Sequence, residues 1–126
     1  MSHRRNDYYQ TCAIPKPKIV KKQKQMNGYK DKAKRHCFYT GRPGAERHEI
    51  FRGNNRQISI DNKFQIDVCP EIHRELQDDL VPLAQERNKF WREYYQMKYE
   101  YRLMIAGATS KQAREIWLKL IGRNYL

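Results

Sequence analysis

No apolar run in these 126 residues approaches the ~20 needed to cross a bilayer, so the sequence offers no candidate membrane helix. The opening MSHRRNDYYQ lacks the apolar stretch of a secretory signal, which points to a cytoplasmic protein. Cysteine is scarce. Cys12, Cys37 and Cys69 are too few and too scattered for a disulfide framework, and in a reducing compartment they are free thiols or metal ligands. Acidic residues are also short, at 14 against 26 Lys and Arg, for a net charge of +12.

What is present is unevenly placed. Residues 1–36 hold eleven Lys/Arg and two Asp/Glu, a net of +9, so most of the excess sits in the first third of the chain. Pro15 and Pro17 oppose a helix there, and the Lys-rich run has little apolar surface to bury, which predicts an extended basic arm. A dense positive arm favours polyanions, because each neutralised phosphate releases counterions. Lys21, Lys22, Lys24, Lys34 and Arg35 are its candidate nucleic-acid contacts, and Tyr8, Tyr9 and Tyr29 could stack on bases. The plain alternative is a solvated tail.

Ordered structure is expected over residues 37–126. HCFYTG reads as a short strand closed by a turn at Gly41–Gly44, and RHEIF as a second strand. RGNNRQ reads as a loop. In KFQIDV, Phe64, Ile66 and Val68 alternate with polar residues, the period of a half-buried strand. Pro70 suits the first turn of a following helix, and the i, i+4 spacing puts Cys69 and His73 on one side of it. A long helix is predicted over residues 81–106. Its stripe of Leu83, Arg87, Phe90, Tyr94, Met97, Tyr101 and Met104, widened by Trp91 and Ile105, is read as core, buried by the last helix or by a partner chain. Thr109 with Gln112 forms a capping box for that last helix. Its apolar face is Ile116, Trp117 and Leu120, and Gly122 is its stop signal.

His48 on a strand and His73 on a helix can meet if a hairpin packs on that helix. A divalent ion between them would polarise a phosphate oxygen. At this point ERHEIF, RGNNRQIS, FQIDV and CPEIHREL, in that order, resemble the ββα-metal or HNH nuclease motif in the version found in small phage-encoded proteins. The ending LIGRNYL also matches the Gly-Arg-Asn-Tyr-Leu ending typical of them. The resemblance covers residues 37–126 and leaves the arm unmatched. It implies an α+β fold, with a ββα core over residues 37–77, two C-terminal helices over residues 80–126 and the basic arm at 1–36.

The resemblance also implies roles. His48 and His73 take metal-ligand slots, for Mg²⁺ or Mn²⁺ in catalysis or for Zn²⁺. Arg56 ends the Asn-Arg loop as a phosphate contact, accompanied by Asn55 and Arg52. Asn62 is the nearest residue to the middle Asn slot. The sequence departs from the pattern in three places. Glu49 stands where the family carries its second His, the general base. The zinc knuckles read Cys37-x-x-Thr40 and Cys69-x-x-Ile72, each without its second thiolate. Arg52-Gly53 replaces a Gly-Gly. Either the knuckle zinc is lost, or Cys37, His48, Cys69 and His73 form one Cys₂His₂ zinc site that consumes both histidines.

Two function classes follow. One is a metal-dependent HNH-type DNA endonuclease in a bacterial host cell, with catalytic residues His48, Glu49 and His73. The other is an HNH scaffold that no longer cuts and binds nucleic acid or a host protein. A homodimer is compatible with either, and a membrane partner with neither. The arm alone would also suit a virion or ribosome-associated basic protein.

Overall fold

The alternation at residues 64–68 sets the centre of the fold. Phe64, Ile66 and Val68 are buried, while Gln65 and Asp67 are only half-buried. The computed structural model describes residues 32–126 and forms this run into β2, Gln65–Val68, antiparallel to β1, Glu46–Glu49. Glu46 lies opposite Val68 and His48 opposite Ile66. The α-helix α1, Arg56–Asp61, lies between the strands in sequence. Helix α2, Pro70–Asp78, follows β2 directly, with Pro70 at its first turn, where a missing N–H costs nothing. Then come α3, Pro82–Ile105, and α4, Ser110–Ile121. A two-stranded sheet with four α-helices among the described residues makes an α+β fold. The expectations for Cys12, the tyrosines of the arm, Pro15, Pro17, Lys21, Lys22 and Lys24 lie outside the described residues.

Four local expectations are corrected. HCFYTG is not a strand. The N–H of Gly41 donates to the Cys37 carbonyl at 2.8 Å and the N–H of Cys37 to the Arg42 carbonyl at 2.8 Å, which bends the segment into a turn closed by one bridge between His36 and Pro43. Gly41 and Gly44 both take positive φ here, which a side chain would resist. RGNNRQ is not all loop, because Arg56 opens α1 rather than ending a loop. The Ser59 hydroxyl of α1 donates to the Phe51 carbonyl at 2.6 Å and accepts from the Phe51 N–H, pinning α1 to the chain leaving β1. The folded part also starts before residue 37. Lys32 donates to the Glu46 carboxylate at 3.1 Å, and buried Arg35 donates to the Ala45 carbonyl.

The fourth correction is the stripe on α3. Leu83, Phe90, Met97 and Tyr101 are 53%, 57%, 56% and 59% exposed, so this chain's own core does not use them. Trp91 is buried as expected and Tyr94 packs against the core; the rest of the inward face is Ala84, Asn88, Gln96 and Glu100. Its polar members are buried because each is satisfied. Asn88 donates to the Leu76 carbonyl at 3.0 Å and to the Asp79 carboxylate at 2.8 Å, tying α3 to the end of α2. Gln96 donates to Asn124 and accepts from the Tyr125 N–H, which holds the chain's last residues. Glu100 accepts two bonds from Arg114 of α4, at 2.7 and 3.3 Å. Buried polar groups that find partners cost little and fix register.

Helix α4 has the expected capping box at Thr109 and Gln112, and it stops at Gly122 in a left-handed conformation. Its buried face is Ala113, Trp117 and Ile121, one residue on from the expected one; Ile116 is 40% exposed. Trp117 is fully buried and meets Phe51, Phe64 and Tyr99 edge-on or tilted. Through these rings α4 completes the core formed by the sheet, α2 and α3.

Candidate two-histidine site

Side chains alternate across a strand, so Glu46 and His48 share one face of β1. Both meet His73 of α2. The His48 and His73 rings lie edge to face with centroids 5.2 Å apart. Nδ1 of His73 donates to Glu46 at 2.8 Å, and Nε2 accepts from the Gln77 amide at 3.2 Å. Those two partners select the Nδ1–H tautomer with the Nε2 lone pair turned to the Gln77 amide, a bond that an ion at His73 would displace. Glu46 is held below the usual carboxylate range by its bonds from His73 and from Lys32. It is thus an ionised carboxylate that orients an imidazole.

His48 is 1% exposed, and its Nε2 is buried with no hydrogen-bond partner. Burial first, then repulsion from His73 when it is protonated and from the charges of Arg52 and Arg92, push its pKa down to about 3. It is a neutral imidazole at neutral pH, the form that binds metals. An unpartnered buried nitrogen is costly, and it is the feature of this site that best fits an ion. Among the described residues, however, no three His, Cys, Asp or Glu side chains converge to hold a metal. A bound ion would therefore take the rest of its shell from water or substrate.

Glu49 does not join the pair. It is buried and accepts from Arg56 Nε at 3.1 Å, while its neighbour Arg47 faces Asp67 across the strands at 3.8 Å. Strand alternation separates Glu49 from His48 even though the two are adjacent in sequence. The Arg56 side chain is 58% exposed beyond this contact and remains open to an anion. Arg52 donates to the Gln77 carbonyl, close enough to the histidines to act on His48. Lys34 is exposed.

Two expected nucleic-acid contacts are occupied by the fold. Asn55 donates to the Ile121 carbonyl at 3.0 Å, satisfying the end of α4, and Arg35 is buried against Ala45. Asn62 closes α1 by donating to the Ile58 carbonyl, a local role. Glu46 and Arg92 were not legible as site residues. Glu46 is two positions from His48, which the strand period could have flagged. Arg92 lies one turn from the buried Asn88 and Gln96, and only the packing of α3 brings its charge to His48.

The cysteines form a separate place. Cys69 and His73 do not face one point: the His73 ring goes to Glu46, whereas the Cys69 thiol bonds Glu71. Both Cys37 and Cys69 are buried free thiols. Ile72 packs against the core. Burial raises the Cys37 pKa. Bonds from the Thr40 side chain and from the N–H groups of Cys69, Thr40 and Tyr39 outweigh it and bring the thiol down to about 7. The absorbance of Cys37 thiolate at 240 nm is therefore expected to appear with a midpoint near pH 7 in the folded protein. Cys37→Ala should remove that step. A first midpoint near the ordinary thiol range of ~8.5 would show that the N–H groups do not hold the sulfur.

No family model, no curated protein and no solved structure matches this chain.

Proposed function

We propose that the protein is a metal-dependent HNH-type endonuclease that hydrolyses phosphodiester bonds in DNA. The observation that carries this reading is the His48–His73 pair, in ring contact at 5.2 Å and with His48 Nε2 buried and unpartnered. His48 comes from β1 and His73 from α2, with α1 and β2 between them in sequence. His48 and His73 would hold the ion, which supplies charge stabilisation at a phosphate oxygen and at the leaving oxygen. Glu46 holds His73 in the tautomer a ligand needs. Arg52 and Arg92, whose charges reach His48, offer cations to a phosphate, and Arg56 a forked donor. The resemblance assigns the base to Glu49, which the strand turns to the face opposite the histidines, so a base role needs the substrate to reach round to it. Two imidazoles suit zinc or nickel better than magnesium or manganese, which prefer oxygen donors.

Incubation of the full chain with supercoiled plasmid tests this, with Mg²⁺, Mn²⁺, Zn²⁺ or Ni²⁺ added singly and with a chelator. Nicking or linearisation that needs one of these ions is the expected result. No cleavage with any of them removes the enzyme reading.

A second reading has its own observation. Glu49 is paired with Arg56 and lies off the face that carries the histidines. That arrangement suits a scaffold that binds nucleic acid without cutting it. Its mark is salt-sensitive binding of duplex DNA with no cleavage.

A further inference from the structure

The stripe on α3 is left without a use by this chain's own described core. Its spacing alternates four and three residues from Leu83 to Met104, which is a period of 3.5 and not 3.6. A period of 3.5 is the mark of a helix built to run beside another helix. Leu83, Phe90, Met97 and Met104 fall seven residues apart and take the d positions. Arg87, Tyr94 and Tyr101 take the a positions. The d residues are all exposed, on the side of α3 away from the core face. Arg87 leaves the seam, because its guanidinium stacks on the Tyr39 ring at 3.8 Å. Beside it, Phe38, Leu83 and Phe90 border an apolar recess of about 590 Å³ that continues the stripe.

The flanking charges identify the occupant. In this register Glu86, Glu93 and Glu100 take the g positions, and Ala84, Trp91, Lys98 and Ile105 the e positions. A parallel pair sets each g residue against the e residue five places on in its partner, so Glu93 meets Lys98. Lys98 is exposed, and its Nζ lies over Tyr94 on the seam side. Glu93 is 39% exposed and bonds only its own-helix neighbour Lys89 among the ion pairs described, at 2.9 Å. The other g–e pairings use residues already turned to the core, Trp91 and Glu100. An antiparallel copy would instead set glutamates against glutamates, which is repulsive.

We propose that α3 pairs in parallel with α3 of a second copy of this chain, with two symmetric Glu93–Lys98 contacts fixing the direction. This is independent of whether the protein cuts DNA.

Sedimentation equilibrium of the full chain over micromolar concentrations, with helix content followed by circular dichroism, tests it. The expected mass is twice that of the chain. Phe90→Asp should give monomer with unchanged helix content, since Phe90 is 57% exposed; Met97→Asp serves should that variant not fold. Glu93→Lys and Lys98→Glu should each weaken the dimer on the order of tenfold. The double variant should restore it to within about threefold. A wild-type monomer, or a dimer indifferent to Phe90→Asp and Met97→Asp, overturns the pairing. A dimer lost in both aspartate variants but not rescued by the double charge swap overturns the parallel register. A monomer that binds DNA or another protein through this face also overturns it.

Discussion

His73→Ala is expected to lower metal-dependent plasmid cleavage by about a hundredfold or more while leaving the fold intact. Even the outer partners of a metal-binding histidine are typically worth ~10–100-fold, so loss of the imidazole itself should cost at least that. The fold should survive because His73 is only half-buried and stands outside the apolar cluster that holds Leu76. Glu46→Gln keeps the size of the orienting side chain and removes its charge. It should lower activity about tenfold, and it should weaken Zn²⁺ or Ni²⁺ binding measured by calorimetry in the same proportion. Glu49→Gln separates the base from the ligands. It keeps an oxygen for Arg56 and removes the basic carboxylate, so loss on the order of 10²-fold or more with unchanged metal affinity is expected if Glu49 takes the proton. Full activity in Glu49→Gln would move the base elsewhere. Cleavage that survives His73→Ala would sink the two-histidine mechanism.

How far the sequence could be read follows from which forces each pattern reports. The period of two in residues 64–68 reports a local preference and a buried face together, so β2 and its inward residues were legible. The capping box at Thr109 and the glycine at 122 are local hydrogen-bond and backbone effects, and they were legible for the same reason. The α3 stripe reports only that a helix has an apolar face. Which face meets the core depends on partners far away in sequence: Asn88 is buried because Leu76 and Asp79 accept from it, and Glu100 because Arg114 reaches it. Polar residues with such partners look like surface in one dimension. The short turn at Cys37–Gly41 looks like a strand for a related reason, since Cys37 is buried and Phe38 exposed in alternation, but its hydrogen bonds close locally. At the site, the strand period places Glu46 with His48 and sets Glu49 apart, while adjacency in the chain suggested the opposite grouping.

Acid should unfold this protein more readily than its overall basicity suggests, and His48 is the reason. Its pKa is about 3 in the fold and near ~6.5 in the unfolded chain. Between those values the unfolded state binds a proton that the native state refuses, so stability rises with pH across that window. The contribution is fully present above about pH 6.5 and is lost as the pH falls toward 3. A difference of this size amounts to at most roughly 5 kcal/mol at ~1.4 kcal/mol per pKa unit, comparable to the whole stability of many domains. Glu46 acts in the same direction: its carboxylate is held low by His73 and Lys32, so its contribution is lost as the pH falls through the carboxylate range. Urea unfolding of the metal-free protein, repeated from pH 7.5 to 4, measures the slope. His48→Leu removes the titrating group and the unpartnered Nε2 together, and it should flatten the curve between pH 6.5 and 4.5. At pH 5 the variant should be the more stable protein. An equally steep curve in His48→Leu would place the acid sensitivity in other groups. Addition of Zn²⁺ at pH 7 should raise the unfolding midpoint of the wild type and not of the variant, because only a neutral His48 offers its lone pair.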